Sequence, residues 1–458
     1  MKVTLVIPDY LSGRSFLQPP LEALYVAAML EDQGHDVTVI DNRIKSLPID
    51  RLIVEVGSQH PDLVGVVTSP YDQAQTYCVD SRIYQVYAVV NKLKTIMRDV
   101  SVFLIGAHGS VEPSIILRDT LADVVVRGEP EVTVTRLVDA VCRDRSLTGV
   151  QNIAFRKGSK VILTEVNPAS CHPVLDEGLM PAYDKVDMRS YFGEDEEDNV
   201  PIKKERWANV IASRGCPFDC IFCYHFFGRR VRYRNPDCVV DEIRRLRDDF
   251  GIRDIFFFDS TFTLNHKWTA KICEKLVKQK VDIGWGCETR CDMVDRSILK
   301  LMKRANCHSI WLGLETFSPE VLRQLNKGYT IDVARSAINK IRQTNIKPLA
   351  FIMLGGPGET VNTLNTTLAA VHRYKINYTR SIIICCPRFG SKLYRLAKKQ
   401  YPFIGKSWSS LYEIAGMVKN KITPGILQEA SSIMMSREFI YDKKPPRLST
   451  HRGSQAEY

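Results

Sequence analysis

Three cysteines fall within eight residues in the stretch Arg214-Gly215-Cys216-Pro217-Phe218-Asp219-Cys220-Ile221-Phe222-Cys223-Tyr224, which packing alone does not explain. Three residues separate the first pair and two the second, a spacing that would align the thiols on one face of a helix. Gly215 and Pro217 argue instead for a loop that curls around a ligand, with each thiolate free to turn inward. Close thiolates repel one another unless a cation holds them, and sulfur ligands suit zinc or an iron-sulfur cluster. A closed zinc site or an ordinary four-iron cluster takes four protein ligands, whereas three leave one metal position open to a small molecule.

The elements that must position this loop alternate β-type and helical runs. Candidate strands at 3–7, 37–40, 63–68, 102–105 and 123–126 are separated by helical stretches such as Leu21–Asp32 and 84–97, the former stopped by Gly34. This pattern predicts an α/β fold that opens with a Rossmann-like parallel sheet over residues 1–145, binding ligands at the carboxyl ends of its strands. A hairpin around Lys157-Gly158-Ser159-Lys160 and a linker with several prolines and the acidic run Glu194-Asp195-Glu196-Glu197-Asp198 fill 146–206. Six βα units follow, with strands near 208–212, 254–258, 281–285, 309–312, 347–353 and 379–384. Without an antiparallel hairpin among them, they predict a partial (β/α)6 barrel over 207–392, and the cysteine loop comes directly after its first strand. Residues 393–458 read as a small C-terminal extension, helical at 407–417 and 427–437, with a tail from Lys443 too polar to pack.

At 458 residues, 45% of them hydrophobic, the chain is long enough to bury the cores of two or three domains. Its short apolar start lacks the length of a signal peptide, and no stretch reaches the roughly twenty apolar residues of a membrane span. Thirteen cysteines, an odd number without a secretion signal, suit a reducing cytoplasm better than a disulfide framework. The net charge of +11 is spread out, its densest clusters being Lys203-Lys204-Glu205-Arg206, residues 229–234 and Arg244-Arg245-Leu246-Arg247. That distribution favours an acidic or phosphorylated small-molecule substrate over nucleic acid, for which no recognisable module is present.

Cys216-x-x-x-Cys220-x-x-Cys223 after the first strand of a six-fold βα array resembles the signature of the radical S-adenosylmethionine (SAM) superfamily. The resemblance implies that Cys216, Cys220 and Cys223 hold three irons of a 4Fe-4S cluster and that the open iron chelates the amino and carboxylate groups of SAM. An electron from a donor such as flavodoxin or ferredoxin would then split the sulfonium into methionine and a 5'-deoxyadenosyl radical. Phe222 matches the family position that packs near the adenine. Buried structural cysteines or a zinc knuckle are the alternative.

Later strand ends extend the resemblance. Asp259-Ser260-Thr261-Phe262 stands where many members carry a Gly-Gly-Glu segment facing the methionine amino group; the departure leaves Asp259 and Ser260 as candidates. Glu288 and Arg290 occupy the position that meets the ribose and the carboxylate, where a guanidinium suits an anion; a mutual surface ion pair is the alternative. Glu315, in Gly313-Leu314-Glu315, is expected to aim into the barrel mouth. Gly355, Gly356 and Gly358 would let backbone amides approach the nucleoside, unless they only form a turn and helix cap. Cys385 and Cys386 make a poor site for a second cluster, and hydrogen donation to a product radical is the other role open to them.

The N-terminal sheet resembles the cobalamin-binding domain of one large class in that superfamily, through Pro19-Pro20-Leu21-x-x-Leu24-x-x-Ala27, Gly106-Ala107-His108 and Gly128-Glu129-Pro130-Glu131. Its edge offers Thr68, Ser69, Gly106, His108 and Gly128 as cofactor contacts. No Asp-x-His-x-x-Gly segment occurs, so no histidine lower ligand to cobalt is expected. The resemblance implies a cobalamin-dependent methyltransferase acting on an unactivated carbon. The alternative spends the radical on dehydration, cyclisation or rearrangement, with the first domain as a scaffold; a metal-stabilised binding protein is a third class.

Overall fold

The sequence builds two large sheets and a separate two-stranded ladder in a computed structural model, which describes residues 1–9, 17–69, 83–167, 180–192, 206–376, 382–401 and 422–435, with 416, 418 and 448. Strands β1 (Lys2–Ile7), β2 (Asp36–Asp41), β3 (Leu63–Val67), β4 (Ser101–Ile105) and β5 (Val124–Val126) pair in parallel in the order β2-β1-β3-β4-β5. Their Val, Ile and Leu runs are almost wholly buried, as expected of a parallel sheet covered by helices on both faces. Strand order reverses between β1 and β3, which puts the crevice of this sheet beyond their carboxyl ends.

The predicted hairpin forms from β6 (Ile153–Lys157) and β7 (Lys160–Leu163), but it joins the first sheet. Short β5 leaves an open edge, and β6 covers it antiparallel with buried Ile153, Ala154 and Phe155, so the sheet has seven strands of mixed direction. The described part of the expected linker is also packed. Tyr191 donates to Asp41 Oδ2 at 2.8 Å and Tyr183 to Glu242 Oε1 at 2.7 Å, tying residues 180–192 to β2 and to the helix Pro236–Phe250 of the second domain. The acidic run at 194–198 lies outside the described residues.

In the second sheet β8 (Trp207–Val210) leads to a two-residue strand, β9 (Ser213–Arg214), which pairs antiparallel with β10 (Arg232–Tyr233). Among the described residues this small ladder is the one antiparallel element the six-fold pattern did not foresee. The array continues with β11 (Asp254–Phe257), β12 (Gly284–Thr289), β13 (Cys307–Glu315), β14 (Lys347–Leu354) and β15 (Ile382–Ile384). Every neighbouring pair from β8 to β15 is parallel and the two end strands do not pair, giving an open, partial barrel. β12 begins later than the expected 281, because Val281 N–H still closes the preceding helix on Leu276 O (3.0 Å) and Lys280 turns at φ +52°.

Side-chain caps start the outer helices: Asn235 for Pro236–Phe250, Asp295 for Arg296–Arg304 and Thr330 for Ile331–Arg342. The C-terminal extension contributes a helix at Pro424–Met435. The helix expected at 407–417 and the tail from Lys443 lie outside the described residues apart from single positions. No described helix is long and apolar enough to cross a membrane.

Candidate active site

The cysteine loop is irregular, as Gly215 and Pro217 dictate. Gly215 turns at φ +97°, and an added Cβ would run into the Arg230 carbonyl across the loop. Cys216 N–H reaches Gly228 O at 3.2 Å, and Ile221 is pinned on both sides by Leu325 O (3.1 Å) and Leu393 N–H (2.7 Å). The β9–β10 ladder closes the base of the loop directly beyond β8, so the three thiols are delivered to the carboxyl ends of the barrel strands.

All three cysteines line a cavity of about 170 Å³, together with Phe222, Ser260, Glu288, Arg290 and Glu315. Phe258, Phe351 and Met353 add apolar lining. Burial pushes the Cys223 thiol up to about 12 and raises Cys216 too, so metal must displace protons to bind there. Arg290 stacks 3.6 Å from the Phe218 ring centre, is held by Asp292 at 2.9 Å, and donates toward Cys220 Sγ at 3.6 Å. Its partner is Asp292, and no Glu288–Arg290 pair forms.

Glu315 sits at φ +68°, a left-handed conformation strained for a residue with a Cβ, where the β13–β14 register shifts between Gly313 and Glu315. The shift aims the carboxylate at Lys327 Nζ (3.0 Å), and both side chains are nearly excluded from solvent. Burial opposes the Lys327 charge, yet Glu315 and Cys220 outweigh it and raise its pKa. Glu288 faces the cavity with no cation beside it; burial first, then the nearby Asp259 and Glu315, raises its carboxyl from 4.5 to about 8.

The carboxyl edge of the first sheet gathers Thr68, Ser69, Gly106, His108 and Gly128. The Thr68 hydroxyl donates to Ile105 O (3.0 Å), Ser69 Oγ accepts from Ala107 N–H (2.9 Å), and Gly128 N–H donates to Ser110 Oγ (2.7 Å). Gly106, at φ +124° and ψ −179°, brings its backbone so close to Thr68 that a Cβ would lie 2.5 Å from Oγ1. His108 is buried in the short helix that follows. This edge meets the cysteine loop: Gly390 packs between Tyr224 of the loop and Val111 of the short helix after β4, where a Cβ would come within 2.7 and 3.3 Å of them.

Residues 210–371 match the model of the radical SAM superfamily and residues 11–138 that of the B12 binding domain. The chain thus carries a radical SAM domain and a B12-binding domain. It is 29% identical over 428 residues to an uncharacterized methyltransferase of Pyrococcus horikoshii, covering 92% of this chain and 88% of that one. It is 28% identical to the anaerobic magnesium-protoporphyrin IX monomethyl ester cyclase of Rubrivivax gelatinosus, over 80% of this chain but 65% of the cyclase's length. The solved structure of the cobalamin-dependent SAM radical enzyme OxsB, with aqua-cobalamin and SAM bound, shares the fold at TM-score 0.77 and 15% identity, over 96% of this chain and 67% of that one.

The radical SAM barrel requires a 4Fe-4S cluster and SAM, and its mouth fits them. The thiols are spread around a cavity, and among the described residues no three His, Cys, Asp or Glu side chains are arranged to hold a single ion. That spread suits irons that each take one thiolate better than one zinc ion ringed by all three. At the edge of the B12-binding domain the Thr68 and Ser69 hydroxyls are spent on the protein's own backbone and pin the chain around Gly106, so what this edge offers a large ligand is its shape. The loops after β1 and β3, which flank the crevice, lie largely outside the described residues.

Two sets of expected contacts are not in the cavity. Asp259 is buried and turned away, accepting from Ala212 N–H at 3.2 Å, so it ties down the chain after β8 instead of meeting cofactor; burial raises it to about 7. Gly355, Gly356 and Gly358 pack against the protein itself. Gly355 N–H donates to Glu359 Oε2 (3.2 Å), and a Cβ there would meet the Gly416 backbone at 2.6 Å; added atoms at Gly356 and Gly358 would meet Val321 and Gln324. The alternative of a turn and helix cap is what forms, with Thr360 capping Val361–Arg373. Cys385 and Cys386 do not line the cavity.

Lys327 and Arg388 line it without having been singled out. Lys327 stands in Asn326-Lys327-Gly328-Tyr329, a polar stretch that reads as a solvated turn, and Arg388 follows β15 in an equally plain loop. No local signal marked either residue.

Proposed function

We propose that this protein is a cobalamin-dependent radical SAM methyltransferase that places a methyl group on an unactivated carbon of a small molecule. The observation that carries the reading is the contact between the cysteine loop and the carboxyl edge of the B12-binding domain. A carbon that is first made a radical and then methylated must be reachable from both cofactors. When bound, those cofactors would supply a 5'-deoxyadenosyl radical by one-electron cleavage of one SAM and a methyl group drawn from a second.

In this reading residues 1–145 with the hairpin carry cobalamin, and residues 207–392 carry the radical chemistry. Cys216, Cys220 and Cys223 hold three irons as thiolates, with the Arg290 guanidinium beside Cys220. Arg290 and Lys327 place positive charge where the SAM carboxylate needs it. Ser260 and Glu288 offer hydrogen bonds to its polar groups, and Phe222 gives its adenine a flat apolar neighbour. Phe258, Phe351 and Met353 keep water from the radical. A small acidic substrate suits the basic chain, an external protein such as flavodoxin or ferredoxin would supply the electron, and a reducing cytoplasm suits the cluster.

The test is anaerobic reconstitution with iron, sulfide and cobalamin, followed by reduction and addition of SAM. The expected result is about four irons per chain and cobalamin-dependent formation of S-adenosylhomocysteine beside 5'-deoxyadenosine. If only 5'-deoxyadenosine and methionine form, with cobalamin and the true substrate present, methyl transfer is overturned. Radical cyclisation or rearrangement then becomes the better reading, which the cyclase relative already supports.

A further inference from the structure

We infer that Glu129 and Glu131 of the B12-binding domain are positioning residues for the cysteine loop, acting through Arg214 and Arg232. The inference rests on the reading of Cys216, Cys220 and Cys223 as cluster ligands.

The loop leaves and re-enters the barrel through the β9–β10 ladder, in which Arg214 and Arg232 are direct partners. Arg214 precedes Cys216 by two residues. Its guanidinium forks, Nη1 to Glu129 Oε2 at 2.6 Å and Nη2 to Glu131 Oε1 at 2.7 Å. Arg232 meets the same Glu129, Nη1 to Oε2 at 3.1 Å and Nη2 to Oε1. One carboxylate of the first domain thus bridges both strands at the base of the cluster loop. The Arg214, Glu129 and Glu131 side chains are 2%, 1% and 0% exposed, so water cannot replace these partners. The Arg214 guanidinium also lies 5.0 Å from the Tyr25 ring in the first domain and 5.1 Å from the Phe227 ring in the loop itself.

The acidic pair is in turn held rigidly. Pro130 and Glu131 open the helix Pro130–Cys142, and Gly128 is fixed to Ser110 in the short helix Ala107–Val111 of the same edge. A mere interdomain tie would need only one of the two strands. Here Glu129 neutralises two guanidiniums that face each other across the ladder, and without it like charges at that base push the strands apart and shift Cys216. The edge that faces cobalamin is therefore mechanically joined to the cluster ligands.

The experiment compares wild-type full-length protein with Glu129→Gln, Glu129→Asp and Glu242→Gln after anaerobic reconstitution, without substrate. Glu242 is an equally buried acid whose partners are Arg234, the residue after the ladder, and Tyr183; it bridges neither Arg214 nor Arg232, so its variant reports on losing a buried acid next to the ladder without losing the bridge. Iron retention against a chelator, the electron paramagnetic resonance (EPR) spectrum of the reduced cluster and its reduction potential are read on folded protein. Glu129→Gln is expected to weaken iron retention roughly 10-fold or more and to alter the spectrum. Glu129→Asp should restore part of both, and Glu242→Gln should lower only the thermal midpoint. A Glu129→Gln cluster with wild-type retention, spectrum and potential overturns the inference. If that variant does not fold, Arg232→Gln, in the arm that is 14% exposed, is measured under the same criteria. Wild-type protein that takes up no iron overturns the underlying site assignment instead.

Discussion

The barrel mouth and the carboxyl edge of the B12-binding domain both lie beyond the ends of parallel strands, yet they are built on opposite principles. At the edge the polar groups satisfy one another: Thr68 with Ile105, Ser69 with Ala107, Gly128 with Ser110. At the mouth only some do, Glu315 with Lys327 and Arg290 with Asp292, while burial raises two thiols and Glu288 out of their usual ranges. A region whose groups are already paired is a finished cradle that a ligand enters without rearrangement. One that holds perturbed, ligand-hungry groups stores unfavourable desolvation that a bound cofactor relieves. Removing side chains should therefore cost the mouth its cofactor and the edge its shape.

The largest effect is expected from replacing Cys216, Cys220 and Cys223 together by Ala. Iron should fall from about four per chain to none, while cobalamin uptake, read from its visible spectrum, persists. Loss of both would show that the two regions are one site and break the comparison. Next comes Gly106→Ala, which forces a side chain into a backbone region that is essentially glycine-only and against Thr68 Oγ1. A cost of about 1–3 kcal/mol and weakened cobalamin uptake with unchanged iron are expected, checked by urea unfolding and the same two spectra.

How legible each region was follows from the range of the interactions that make it. The cysteine motif is local, so its spacing alone announced a metal loop. Ser260, Glu288, Arg290 and Glu315 follow from strand ends, since any residue at a carboxyl terminus of a barrel strand lies near the mouth. Lys327 does not: it comes from a loop, and its buried ion pair is with the strained Glu315, twelve residues earlier. Gly355, Gly356 and Gly358 misled because Glu359 folds back on Gly355, a local hydrogen bond that closes the turn before any ligand can use it. The two sheets were readable as alternation. The attachment of the hairpin to β5 was not, because which edge needs covering is decided only after the sheet is assembled.

The smallest effect sharpens the contrast by pH. In the cofactor-free protein Glu288 is held protonated up to about 8, against an ordinary value of 4.5. Between those values the folded state binds a proton that the unfolded chain has released, so stability falls as pH rises. The contribution is fully present below about 4.5 and is lost on approach to about 8. Because Glu288 lines an open cavity, the slope should stay below about 1.4 kcal/mol per pH unit. Glu288→Gln, which cannot ionise, should flatten that slope and make the variant the more stable protein at pH 8, whereas at pH 4 the two converge. Urea unfolding at several pH values measures this directly. Equal slopes for wild type and variant would mean that the mouth stores no unfavourable charge at Glu288, and its difference from the self-paired edge would then rest on the thiols alone.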